Sequence, residues 1–126
     1  MDDIMQVIVV RKDLNLRKTE LASQVATASM GFLLENNESE RNDVIRVKLS
    51  NEEAIWLNGS FTKMIVGVDS EEDLKNLMFK AEMEGIEVYP VRGKGKIDDN
   101  TTITCAALGP DDSQVIKHIM GHLKPI

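Results

Sequence analysis

Residues 4–32 read I-M-Q-V-I-V-V-R-K-D-L-N-L-R-K-T-E-L-A-S-Q-V-A-T-A-S-M-G-F. Ile4 to Val10 is a continuous apolar run broken only by Gln6, and a short run of this kind that ends in charge is the pattern of a buried strand. A basic loop then leads into a helix with small residues on one side. Ala22, Ala26 and Ser29 recur at i, i+4 and i+7, and Leu21, Val25, Ala28 and Phe32 form the adjoining apolar stripe. Small side chains let another backbone, or a ligand, approach closely. The strand-to-helix turn also sets Lys18 beside the first free N–H groups of the helix, where anions are favoured. Taken alone, Arg11, Lys12, Arg17 and Lys18 are equally a solvated loop in front of Ala-rich packing.

Working outward, Glu35 to Asp43 is strongly polar, and Val44 to Leu49 alternates in the manner of a short, half-exposed edge strand, so residues 35–50 read as a polar insertion. Ser50 and Glu53 form a capping-box pattern for a helix ending near Asn58–Gly59; it carries Trp56, for which core packing is the default and base stacking the alternative. Lys63 to Val68 is a second buried strand. Glu72 and Asp73 open a helix that stops at Gly85; Ile86 to Val91 is a third strand, tolerating Pro90 near its end. Thr101 to Leu108 is the fourth, closed by Gly109–Pro110 before a last helix from about Asp111. The expected fold is a single α/β domain over 1–126 with a mixed sheet of four strands, or five if the edge strand forms, and helices on both faces. The helical crossover puts the first two strands parallel and central, and the short connection makes the last antiparallel to a neighbour.

At 126 residues and 42% apolar content the chain has the size and composition of one globular domain. No apolar run is long enough for a bilayer, and the start M-D-D-I is acidic where a signal peptide is basic, so the expected location is the cytoplasm. The single Cys105 excludes an internal disulfide and a cysteine cage for zinc. His118 and His122 stand at i, i+4 on the last predicted helix without an evident third ligand; neither a metal nor another cofactor is expected. A net charge of −6 argues against broad nonspecific binding of nucleic acid, yet Arg11 to Lys18 and Arg92 to Lys96 are basic islands able to grip a phosphate-rich target at one place. Gly93-Lys94-Gly95-Lys96 lacks the spacing of a Walker loop or a dinucleotide fingerprint; it is a flexible turn that can also hold phosphate with backbone N–H groups and lysine charge.

Together these pieces resemble the peptidyl-tRNA hydrolases of the archaeal and eukaryotic type over most of the chain. The residues that carry the likeness are V-I-V-V-R-K-D-L at the first strand and its exit, Lys18 with L-A-S-Q, W-L-N-G-S-F-T-K from Trp56, V-D-S-E-E-D-L from Val68, Gly85 to Val91, T-T-I-T-C-A-A-L-G-P from Thr101, and the closing G-H-L-K-P-I. The resemblance implies a compact α/β hydrolase acting on the ester that joins a peptide to tRNA. It implies catalytic roles for Lys18, Gln24, Thr102 and Thr104, and tRNA contacts from Arg11, Arg17, Arg92, Lys94 and Lys96; Lys18, Gln24, Arg92, Thr102 and Thr104 are expected to border one cleft, with Lys94 and Lys96 at its mouth. The partner it implies is tRNA, with no membrane, and a homodimer is left open. Three positions depart from the pattern: the family's G-K-G-K at the first helix reads R-K-T-E, its helix histidine is Thr27, and its aspartate after the third strand is Gly93. Two rival functions are a binding module that keeps tRNA recognition without turnover and an interaction scaffold that touches no RNA.

Overall fold

The computed structural model describes residues 3–93 and 102–126. Strand β1 (Ile4–Arg11) is buried on both faces along nearly its whole length. After a single 3-10 turn come helices α1 (Lys18–Glu35) and α2 (Asn51–Asn58), strand β2 (Thr62–Val68), helix α3 (Glu71–Met83), strands β3 (Val88–Arg92) and β4 (Ile103–Asp112), and helix α4 (Ser113–Met120). The sheet runs β2-β1-β4-β3. β1 and β2 are parallel, while β4 is antiparallel to both β1 and β3.

Strand alternation divides the core in two. Met5, Val7 and Val9 face α3 and α4 with Leu74, Ile116 and Ile119, whereas Ile8 and Val10 face α1 and α2 with Phe32 and Trp56. Gln6, which breaks the apolar run, is satisfied rather than exposed. Its amide donates to the Ser29 carbonyl at 3.1 Å and accepts from the Ser29 hydroxyl at 2.5 Å, so the serine of the small-residue stripe holds α1 to the central strand. Gly31 allows a second close approach, since a Cβ there would lie 2.9 Å from Cβ of Tyr89 on β3. Trp56 is 1% exposed, its indole N–H donates to the Thr62 carbonyl at 2.7 Å, and its ring meets Phe32 edge-on. It packs in the core and offers no face to a base.

Four details depart from the expectation. β2 is an edge strand, not a central one, because β4 returns to occupy the other side of β1. Val44 to Leu49 is not a strand: Arg46 exchanges its backbone with Glu38 and with the Asn37 side chain, making a local turn instead of joining a sheet edge. The Gly109–Pro110 pair does not end β4. The peptide between them is cis, Gly109 has φ +85°, and the register slips opposite Met5 and Val7 before pairing resumes at Asp111 and Asp112. Finally, α4 stops at Met120 with Gly121 at φ 61°, so His122 lies beyond the helix that carries His118.

Candidate active site at one end of the sheet

The pairing directions bring chemically loaded segments to one end. Arg11 at the end of β1 pairs with Val68 at the end of β2, Val10 pairs with Cys105 near the start of β4, and Arg92 at the end of β3 pairs with Ile103. The N-termini of α1 and α3 follow β1 and β2, so both open at the same end and turn the positive poles of their dipoles towards it. Ligands of α/β sheets favour this position.

Lys18 is the first residue of α1 and Arg17 its N-cap. A guanidinium carries donors only, so Arg17 cannot cap the first-turn amides; the polar link here is Glu20 accepting from the Arg17 N–H at 3.1 Å. Arg17 itself is 80% exposed. Arg11, by contrast, is 10% exposed and fully engaged: it donates twice to Asp13, at 3.1 and 2.7 Å, and once to the Ile103 carbonyl at 3.1 Å, and lies 3.8 Å from Glu71. Glu71 in turn accepts from the Ile103 N–H at 2.9 Å. The hydrogen bond with Asp13 raises the Arg11 pKa, against desolvation, and the same bond lowers that of Asp13. This clamp ties the start of β4 to α3 and to the exit of β1.

Deeper in, Gln24 is 4% exposed and neither its amide nitrogen nor its amide oxygen has a partner among the described residues. Its backbone carbonyl accepts from the Cys105 thiol at 3.7 Å; burial pushes that thiol up to about 12, and a hydrogen bond with Thr104 pulls the other way. The Thr104 hydroxyl also donates to the Val91 carbonyl at 3.2 Å. Gln24, Cys105 and Thr104 are therefore neighbours between α1 and β4. Thr102 accepts from the Gly93 N–H at 3.0 Å, closing the β3–β4 hairpin next to Arg92.

Lys18 stands apart from that group. It lines a groove of about 520 Å³ with Ala22, Val25 and Ala26 of α1, Ile65 of β2 and Ile126. Six residues of helix turn Lys18 roughly 120° away from Gln24 and set them about 9 Å apart along the axis. Lys94 and Lys96 lie outside the described residues. Sequence reasoning missed the Glu71 side of the clamp and the isolation of the Gln24 amide. The first has a partial signal in D-S-E-E, but its partner Arg11 is 60 residues away; the second has none. Among the described residues, no three His, Cys, Asp or Glu side chains are placed to hold a metal, and no helix is long and apolar enough to cross a membrane.

In this mixed four-stranded α/β domain the α1 N-terminus with Lys18 is the place at this end of the sheet suited to an anionic group, since the first turn of α3 is acidic. The family model for Peptidyl-tRNA hydrolase PTH2 matches residues 4–126, and the chain belongs to that family. Among similar proteins, a peptidyl-tRNA hydrolase of Nanoarchaeum equitans is 36% identical over 124 residues, covering 96% of this chain and 97% of its own. One from Methanothermobacter thermautotrophicus is 38% identical over 121 residues, covering 94% and 96%. A solved structure of a protein of unknown function from Agrobacterium tumefaciens shares the fold, with TM-score 0.62 over 100% of this chain and 99% of that one at 14% identity.

Proposed function

We propose that this chain hydrolyses the ester between tRNA and a peptide or N-blocked amino acid, releasing tRNA and a free carboxylic acid. The observation that carries the reading is the α1 N-terminus, without a side-chain cap and headed by Lys18, at the same end of the sheet as Arg92 and the start of β4 with Thr104. Water adds to the ester carbonyl, the C–O bond to the ribose breaks, and the proton lost by water ends on the departing ribose oxygen. The Lys18 ammonium and the first-turn N–H groups of α1 are suited to the oxyanion formed on the way. Among the described residues the Gln24 amide keeps an unused donor and acceptor, and Thr102 supplies a hydroxyl for the water or the leaving oxygen, whereas the buried Thr104 hydroxyl donates to the Val91 carbonyl and positions the start of β4.

Gly93 stands where the family has an aspartate, so catalysis here rests on charge stabilisation and positioning more than on a carboxylate base. Arg17, Arg92, Lys94 and Lys96 are assigned to phosphate, whereas Arg11 buttresses this end through its clamp. The deciding experiment is single-turnover release of an N-acetyl amino acid from N-acetyl-aminoacyl-tRNA. Cleavage is expected; retained tRNA binding without cleavage would replace hydrolysis with a tRNA-binding role.

A further inference from the structure

We infer that the groove between α1 and edge strand β2 holds the peptide of the substrate and favours apolar side chains next to the ester, an inference that rests on the hydrolase reading above. The walls are almost wholly carbon; of the two charged side chains that line it, Lys18 opens it at the site end and Lys63 lies on β2, with no carboxylate among the lining residues. RNA needs cations or stacking rings along its path, and this lining has neither between the lysines. A peptide esterified at its C-terminus is neutral there and can lie against carbon.

The dimensions fit. Lys18 and Met30 both line the groove and are 12 residues apart on α1, about 18 Å along the axis. An extended peptide advances about 3.5 Å per residue, so roughly five residues fit beyond the ester. The floor is the edge strand β2, along whose outer side the C-terminal residues lie, with Val66 bridged to Pro125. The Ile65 carbonyl points outward, since it accepts from the Ile126 N–H at 3.0 Å, and the period of two along a strand turns the Lys63 backbone the same way. The tail occupies that edge, so a substrate peptide is held by apolar contacts with the groove walls and not by strand addition. Ala22 and Ala26 leave the width for it, and the small-residue stripe of the sequence is its wall.

Ala26→Glu puts a charge in the groove at an exposed helical position. With tRNA carrying acetyl-Leu-Ala-Leu or acetyl-Lys-Gly-Lys, the parent, whose groove has lysines at both ends, is expected to show kcat/KM about tenfold or more higher for the apolar peptide. In Ala26→Glu that preference should vanish through KM, with kcat kept. Independently of turnover, acetyl-Leu-Ala-leucinamide should shift the amide resonances of Ala22, Ala26 and Ile65 in the parent. An inactive parent that shows those shifts would sink the hydrolase reading and leave the groove as a peptide site. An active parent with no preference and no shifts would overturn the groove alone. Conversion of a dimer to a monomer by Ala26→Glu, with peptide preference intact, would also overturn it and assign the face to a second copy.

Discussion

The two ends of the sheet differ in how their charges are matched. At one, cations and carboxylates pair: Arg11 with Asp13 and Glu71, Lys12 with Asp69, Arg17 with Glu20. At the other, α1 ends in Glu35, and Glu35, Asn36 and Glu87 line two adjoining recesses that also take in Glu38, Glu53 and Glu82. Tyr89 donates to Glu87 there and accepts from Asn36 at 3.1 Å; burial first, and the Glu87 bond second, raise its pKa. The net charge of −6 is thus unevenly matched, with paired charges at one end and gathered carboxylates at the other. A polyanion meets less repulsion at the paired end.

The strongest way to break this contrast is to remove the charge proposed to act in the reaction. Lys18→Ala should reduce single-turnover hydrolysis on the order of 100- to 1000-fold, the cost of losing one oxyanion donor. Glu87→Gln at the other end should leave the rate within a small factor, and so should Asp98→Asn and Asp99→Asn, which lie between β3 and β4 in the sequence. An aspartate variant as inactive as Lys18→Ala would mean that the loop has rebuilt the missing base.

Next in size is the clamp. Arg11→Met keeps the buried stem but leaves the Ile103 carbonyl and Asp13 without their donor and removes the ion pair with Glu71, which should cost about 1.5–3 kcal/mol in urea unfolding. An unchanged unfolding midpoint would return Arg11 to the role of a phosphate ligand. Smaller still is the effect on binding. Arg17→Gln should lower the slope of log K against log salt for deacylated tRNA by about 1, while Glu38→Gln leaves the slope alone. Equal slopes for the two variants would remove the contrast between the ends.

Legibility in the sequence followed locality. The apolar run of β1 and the Ser50–Glu53 box are read within one turn of chain, and each forms as its residues dictate. Which strand takes an edge is not local: β2 is flanked on one side only because β4 comes back beside β1 from 100 residues further along. Alternation in Val44 to Leu49 likewise says that a strand would be amphipathic, not that an open edge awaits it. The same holds for the site. The small stripe of α1 and the basic islands stand in the sequence, but the Arg11–Glu71 contact and the unpartnered Gln24 exist only once β4 is laid against α1 and α3.

The finest test compares one carboxylate from each end. Asp13 is lowered from 3.8 by its hydrogen bond to Arg11, and a depressed carboxylate contributes stability above its unfolded value that is lost as pH falls through the folded one. Asp111 is raised from 3.8, first by burial and then by Glu52, Asp112 and Glu87 nearby. Its sign is the reverse: the contribution is full below the unfolded value and is lost as pH rises through the folded one. At neutral pH, Asp13→Asn should therefore lower the urea midpoint and Asp111→Asn should raise it, since an asparagine oxygen can still accept from the Asp112 N–H as Asp111 does at 2.7 Å. Both differences should shrink towards pH 3, where the parent carboxyls become protonated. Midpoints measured from pH 3 to pH 7 decide it: displacement of both variants in the same direction at pH 7 would mean that charge matching at the two ends does not set the local field.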